Sequence, residues 1–474
     1  MQGESLNCDA IGLAELVRKR EVTPGELVEL FVGRIEDLNP TLNFMMSKAY
    51  DHGRREVGRG GNSILAGVPL LMKDIALSCA GVPCKSGSVF LNDYVPDHDS
   101  LIVQRLKAAG LIIIGTTTTP ELGLSLESTN DLVGSCRNPW DLSRTPGGSS
   151  GGSGAAVAAR VLPLAHATDG GGSIRVPASY CGLVGLKTSR GRVSFAPDVI
   201  DLWYGGITEG CVSISVRDTA AYADIIWGGL PGEPYEYPSP ARPLLEEVGV
   251  DPGRLRVGVA MDAIAAIGVD PQVRQAVEAT ARLLQDLGHD VEEVAVDLAG
   301  MEFRQVYLRI IAVLTEMGIA GAEALFGRVA RRDELRSTTW GFRDLAKGIG
   351  GAAHAADIEA MRRIGRDLCI ACHPYDIVLT PTVPGLPTAV GDPDQGSADF
   401  EAHVSRLFHL MSFTAPVNVS GLPSISLPAG WSAEGLPIGV QAIARRGEEA
   451  MLIRLASQLE AARPWASRLP PVHA

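Results

Sequence analysis

The first sixty residues carry apolar positions at helical spacing. In DAIGLAELVRKR they fall three and four apart, and in TPGELVELFVGRIEDLNP the residues Leu27, Leu30, Phe31 and Leu38 form one stripe. Thr23 suits an N-cap, Pro24 the first helical position, and Glu26 completes a capping box. A helical arm is therefore predicted over about 8–58. From Ala66 the pattern changes to short apolar runs bounded by turn residues. AGVPLLMKDI reads as a buried strand ending in a charged pair, and LIIIGTT as another strand. Between them Asp99 or Ser100 caps a helix that runs to Ala109. The loop GGSSGGS leads into a small-residue helix, PLAHATD is a strand, and GGGSIR is a turn. LRVGVA (254–259), a helix around 271–287 and VEEVAV repeat the alternation. DIVLTPT and PSISLPAG read as late strands, and MLIRLASQLEAA as a closing amphipathic helix. Strands alternating with helices predict an α/β layered fold. GGLPGEPYEYPSPARP (228–243) reads as a surface excursion inside one domain, and neither a polar linker nor an internal repeat divides the 474 residues.

Composition narrows the function classes. Hydrophobic residues make up 46% of the chain and charged ones 20%, enough for a large core and too apolar for disorder. The net charge is −13 and no run of Lys and Arg supplies a basic face, which argues against a nucleic-acid binder. MQGESLNCDAIGLAELV lacks the basic and apolar regions of a signal peptide, and the apolar runs are too short to span a membrane. A cytoplasmic protein is predicted. The eight cysteines, at 8, 79, 84, 136, 181, 211, 369 and 372, do not form a disulfide framework. Cys369 and Cys372 make a CxxC beside His373, but within the helical-looking IEAMRRIGRDLCIACH and without a second pair at zinc spacing. No metal or organic cofactor is implied.

The two glycine-serine turns, TPGGSSGGSG and DGGGSIR, stand out because glycine loses more backbone entropy on folding than any other residue. GGSSGGSG could serve as a linker, yet it runs straight into a buried helix. A phosphate loop is also disfavoured, since neither GxxxxGK[ST] nor a GxGxxG after a strand occurs. If the turns are catalytic, they hold serines, and a serine nucleophile needs a base. No GxSxG elbow is present, and His166, inside the apolar PLAHATD, reads as a core histidine. The other candidate base is Lys73 at the end of the strand VPLLMK. Burial favours the neutral form of a lysine, which can then accept a serine proton. At a strand end the same lysine could equally snorkel to water or pair with Asp74.

These residues match a family. PLLMKDI, RNPWDLSRTPGGSSGGSGAAVAA, ATDGGGSIRVPASYCGLVGLK, DIVLTPTVP and FTAPVNVSGLPSISLPAG with GLPIGVQ resemble the amidase signature family of serine hydrolases. The resemblance covers most of 65–190 and of 375–445, and is weak over about 220–370, where such enzymes vary. It implies a single large α/β domain over 1–474 with a central mixed, twisted sheet flanked by helices and a variable insertion at about 220–370. It implies a Ser–Ser–Lys triad: Ser173 as nucleophile, Ser149 as bridge and Lys73 as terminal base. It also implies a cis Gly148–Ser149 peptide, and an oxyanion site built from the backbone N–H groups of Gly170, Gly171, Gly172 and Ser173. Asp169 and Arg175 would brace the turn. Leu122, Leu124 and Leu126 lie on a segment that lines the acyl pocket in relatives, although they read equally well as core. Trp203, Tyr204 and residues near Trp340 are candidates for a lid. The family's GLKPT is here GLKTS (185–189), so a rigidifying proline is missing. The C-terminal block looks like that of bacterial amidases acting on aryl amides and nylon-related amides, with esters and carbamates, including urethanes, open to the same acyl chemistry. The partner expected is such a small molecule, with a homodimer left open. The rival expectation is the amidase subunit of a tRNA-dependent amidotransferase, but the tyrosine-rich segment expected of it is not recognised in the variable region.

Overall fold

The computed structural model describes residues 8–474 apart from 76, 236, 239, 262–267, 297–300 and 392–398. The N-terminal arm folds as α1 (Ala10–Arg18), α2 (Pro24–Leu42) and α3 (Tyr50–Glu56). The capping box at Thr23 and Glu26 forms as the sequence predicts. The arm also holds a short strand, β1 (Met45–Lys48), which helical periodicity could not reveal because it is only four residues long. It pairs antiparallel with β3 (Ile112–Thr117), which in turn runs parallel to β2 (Pro69–Lys73). Between β2 and β3 lies α4 (Leu101–Ala108). Its cap is Ser100, whose Oγ accepts the Val103 N–H; Asp99 instead holds Lys107 and the Ala80 N–H. A two-stranded ribbon, β4 (Thr129–Asn130) and β5 (Gly134–Ser135), precedes the first glycine-serine turn.

From that turn the chain enters α5 (Gly151–Ala158), β6 (Leu164–Asp169), α6 (Arg175–Cys181), β7 (Val184–Lys187), β8 (Thr208–Ser213) and α7 (Val216–Ile226). The next stretch supplies β9 (Arg256–Val259), α8 (Pro271–Asp286) and β10 (Asp290–Glu293), then the helices α9 (Met301–Phe326), α10 (Ser337–Lys347) and α11 (Gly351–Cys372). The chain closes with β11 (Ile377–Pro381), α12 (Phe400–Leu410), α13 (Ala415–Ser420), β12 (Ser424–Trp431), β13 (Pro437–Ala444) and α14 (Glu449–Ala462). Eight strands form one mixed sheet in the order β10-β9-β11-β13-β12-β7-β8-β6, parallel at the β10-β9-β11 end and antiparallel beyond.

The two faces of this sheet differ because strand side chains alternate. Val184, Leu186, Ile425, Leu427, Val440 and Ala442 face α7, α8 and α14 and form an apolar core with them. Their polar alternates Ser424 and Gln441 point the other way, toward α6, where both accept hydrogen bonds from Arg175. A third cluster joins α9, α10 and α12 to Val176 and Tyr180 of α6. The small sheet meets the large one where the Lys73 N–H donates to His166 Nδ1 at 3.1 Å. That junction sets the end of β2 beside the end of β6. No described helix is long and apolar enough to cross a membrane.

Candidate active site

Three polar side chains form a chain of contacts at that junction. Lys73 Nζ lies 2.7 Å from Ser149 Oγ, and Ser149 Oγ lies 2.9 Å from Ser173 Oγ. Lys73 also donates to Thr168 Oγ1 at 2.6 Å. All three triad candidates are buried, Lys73 to 2% exposure. Burial draws the lysine's pKa down to about 7 against the opposing pull of the Glu209 and Asp169 carboxylates. Near pH 7 a large share of this amine is therefore neutral, whereas an ordinary lysine would be so in roughly one molecule in a few thousand. The pairing with Asp74 does not form. That carboxylate turns back to accept the Lys85 and Gly87 N–H groups, and burial raises its pKa to about 7.

His166 is held neutral by geometry. The Lys73 backbone N–H is a fixed donor, so Nδ1 must accept and Nε2 must carry the proton that it gives to Glu209 Oε2, 2.6 Å away. Burial and then the nearby Lys73 charge push its pKa down to about 3. It is a core histidine, and no Ser–His contact exists at this site among the described residues.

The glycines provide shape. The Gly148–Ser149 peptide is cis. A Cβ on Gly148 would sit 2.6 Å from the Glu127 nitrogen, so the turn can approach the 126–127 backbone only with glycine there. Gly172 has φ +131° and its Cβ would lie 2.5 Å from Thr414 Oγ1. No residue with a side chain adopts that backbone without strain.

Asp169 ties the second turn together. Its carboxylate accepts the N–H groups of Gly172, Ile174 and Arg175, and takes Nε and Nη2 of Arg175 at 2.9 and 2.7 Å. Arg175 is fully buried, and its remaining donors reach the Thr414 carbonyl, Gln441, Ser424 and Asn418. Burial alone would raise the Asp169 pKa; the Arg175 charge and hydrogen bonds overcome it and hold the group at about 2. One expectation changes here. The Gly172 N–H is spent on Asp169 Oδ1 at 2.8 Å, so it cannot face a substrate. The N–H groups of Gly170, Gly171 and Ser173 have no partner among the described residues, and these three residues line the cavity beside Ser173 while Gly172 does not.

Leu122, Leu124 and Leu126 all line that cavity. Facing them are Trp203, Ile207, Tyr307, Ile311, Leu407 and Met411. No Asp, Glu, Lys or Arg is among the residues that line it. Of the lid candidates, Trp203 contributes to the wall, Tyr204 turns its hydroxyl to His354 Nε2 at 2.7 Å, and Trp340 lies outside, between Arg332 and Arg343. At GLKTS, Thr188 stands where the family has proline, and its hydroxyl lies 2.7 Å from Thr208 Oγ1, a bond that replaces the ring's restraint. Cys369 is half-buried, Cys372 is buried, and both are free thiols.

Sequence reasoning did not single out Thr168, Tyr307, Thr414 or Asn418. Thr168 stood in the quoted ATDGGG and was identifiable only by its place one residue before Asp169. Asn418 bridges the Asp169 carbonyl, the Asp169 carboxylate and the Gly206 carbonyl across about 250 residues of chain, which no local pattern encodes.

A mixed sheet with a buried lysine, two serines and a glycine turn of free amides at one junction defines an acyl-transfer site of the amidase type. Residues 26–453 match the Amidase family, and the chain belongs to it: it is a hydrolase acting on amide C–N bonds. Among particular relatives, it is 38% identical to the 6-aminohexanoate-cyclic-dimer hydrolase of Pseudomonas sp. (strain NK87) over 478 residues, 98% of this chain and 96% of that protein. The solved structure of 6-aminohexanoate cyclic dimer hydrolase superposes with a TM-score of 0.95 at 37% identity, over 98% of this chain and 99% of that one. A bacterial aryl acylamidase of the amidase signature family gives a TM-score of 0.87 at 26% identity, over 97% and 99%.

Proposed function

We propose that the protein hydrolyses small uncharged amides through a Ser173 acyl-enzyme, with Ser149 and Lys73 relaying the proton. The observation that carries this reading is the unbroken contact chain from Lys73 through Ser149 to Ser173, 2.7 and 2.9 Å long. With the lysine neutral, Ser149 gives its proton to Nζ while taking the proton of Ser173, and Ser173 Oγ attacks the carbonyl. The negative charge that develops on the carbonyl oxygen meets the N–H groups of Gly170, Gly171 and Ser173, each such donor being worth about 2.7–4 kcal/mol in a transition state. Lys73 returns the proton through Ser149 to the leaving amine. Water then attacks the acyl-enzyme by the same relay and releases the acid. Thr168 fixes the lysine head so that its lone pair faces Ser149.

The substrate class follows from the wall. A cavity lined by leucines, isoleucines and aromatic rings, with no ionised side chain, favours an aryl or aliphatic group and leaves a charged one without a partner. The relatives named for a cyclic amide and for an aryl acylamide are consistent with that preference. Esters and carbamates fit the same attack geometry. The amidotransferase reading has no such support, and the relatives compared are named as hydrolases. The test is a matched panel of p-nitroanilide, p-nitrophenyl ester and aryl carbamate, each with a neutral and a carboxylate-bearing acyl group. Wild type should cleave the neutral anilide, Ser173→Ala should be inactive, and the charged acyl group should cost about 10²-fold or more in kcat/KM. Retained activity in Ser173→Ala would refute the assignment.

A further inference from the structure

The peptide unit between Gly170 and Gly171 is the one the reaction leans on. Its N–H, on Gly171, has no partner among the described residues and opens on the cavity beside Ser173. A Gly–Gly peptide has little intrinsic preference for one orientation. Its neighbour, the 171–172 unit, is fixed at both ends: Thr414 Oγ1 donates to the Gly171 carbonyl at 2.6 Å, and the Gly172 N–H is held by Asp169. The 170–171 unit has one anchor, the Tyr307 hydroxyl, which donates to the Gly170 carbonyl at 2.5 Å. In a trans peptide the C=O and N–H point to opposite sides of one plane, so a carbonyl held on one side aims the N–H at the other. A carbonyl that accepts a hydrogen bond also makes its own N–H a stronger donor.

Tyr307 is built for that task. It sits in α9 and is 1% exposed. Its ring stacks on Phe303 at 5.2 Å and meets Trp203 and Phe408 edge-on at 6.1 and 6.4 Å, so the hydroxyl has little freedom. Burial, and then the Asp169 charge, raise its pKa above that of an ordinary phenol, so it remains a donor throughout the working range.

We propose that Tyr307 is a positioning residue for the oxyanion site: by holding the Gly170 carbonyl, it points the Gly171 N–H at the oxygen of the tetrahedral intermediate. The inference rests on Ser173 being the nucleophile. It makes α9, which lies in the region where the family resemblance is weak, a supplier of catalytic geometry as well as of pocket wall. Substitutions that reshape the pocket around Tyr307 therefore act on turnover as well as on substrate choice.

The experiment compares wild type, Ser173→Ala and Tyr307→Phe. The Phe variant loses only the hydroxyl and keeps the ring contacts. The readouts are kcat and KM on a neutral anilide, and the inhibition constant of a trifluoromethyl ketone that forms a tetrahedral adduct with serine. Tyr307→Phe should lower kcat about tenfold with KM within about twofold, and should weaken the ketone by a similar factor. A structural role would instead move KM, thermal stability and inhibitor affinity together. Tyr307→Leu, which also lacks the hydroxyl, takes its place if the Phe variant does not fold. Wild-type kcat and ketone affinity in a folded variant without the hydroxyl overturn the proposal. Activity in Ser173→Ala, by contrast, overturns the nucleophile assignment beneath it.

Discussion

At the residue scale, Lys73 decides whether the site can work. Its amine has two hydroxyl contacts and no carboxylate within hydrogen-bond reach, so burial dominates and brings the pKa to about 7. The sign of the resulting pH dependence follows directly. Only the neutral amine can accept the relayed proton, so activity is present above the folded-state pKa and is lost as pH falls through it. We expect kcat/KM on a neutral anilide to rise with a midpoint near pH 7 and then level off. His166 cannot supply this limb, because its pKa lies near 3 and its Nδ1 faces a backbone donor. A pH profile flat from 5 to 9 would remove Lys73 from the mechanism. The strand VPLLMK already identified the lysine as a candidate, but it left snorkelling, pairing with Asp74 and catalysis as equals. What separates them is burial to 2% and the two hydroxyls, both contributed by segments far along the chain.

At the element scale, the turn between β6 and α6 is the working part. Asp169 and Arg175 lock it from inside, and a buried pair of this kind is costly to break: loss of one partner costs about 3–5 kcal/mol. Gly172 is the tightest point, with φ +131° and no room for a Cβ against Thr414. Gly172→Ala is expected to destabilise the fold by at least about 1–3 kcal/mol in urea denaturation, and to lower kcat more than it changes KM. A variant with native stability and activity would show that the turn tolerates the side chain. The glycine pattern announced this turn because only close approach or a positive φ justifies glycine at that density. It could not say which amide serves which partner. Gly172 was grouped with the oxyanion donors for that reason, and the Asp169 bond that removes it runs between residues three apart in a turn no period describes. β1 escaped notice for a similar reason: four residues cannot display a period against two flanking helices.

At the scale of the whole molecule, the site exists because two sheets abut. β2 brings Lys73, the glycine-serine turn before α5 brings Ser149, the turn after β6 brings Ser173, and α9 brings Tyr307 to the cavity wall. The main sheet buries its apolar alternates against α7, α8 and α14, and turns Ser424 and Gln441 toward Arg175. That alternation was readable in PSISLPAG as a strand, but its partner strands and the Arg175 contact were not, since they join segments some 250–270 residues apart. The most direct test of the account is to trap the intermediate: mix the protein with a slowly deacylating neutral p-nitrophenyl ester, quench in acid, and locate the added acyl mass by peptide mapping. The account predicts one acyl group on the peptide carrying Ser173, absent in Ser173→Ala and formed at least about 10²-fold more slowly in Lys73→Ala. Turnover with no acyl group on Ser173, or with the mass on another residue, would contradict it.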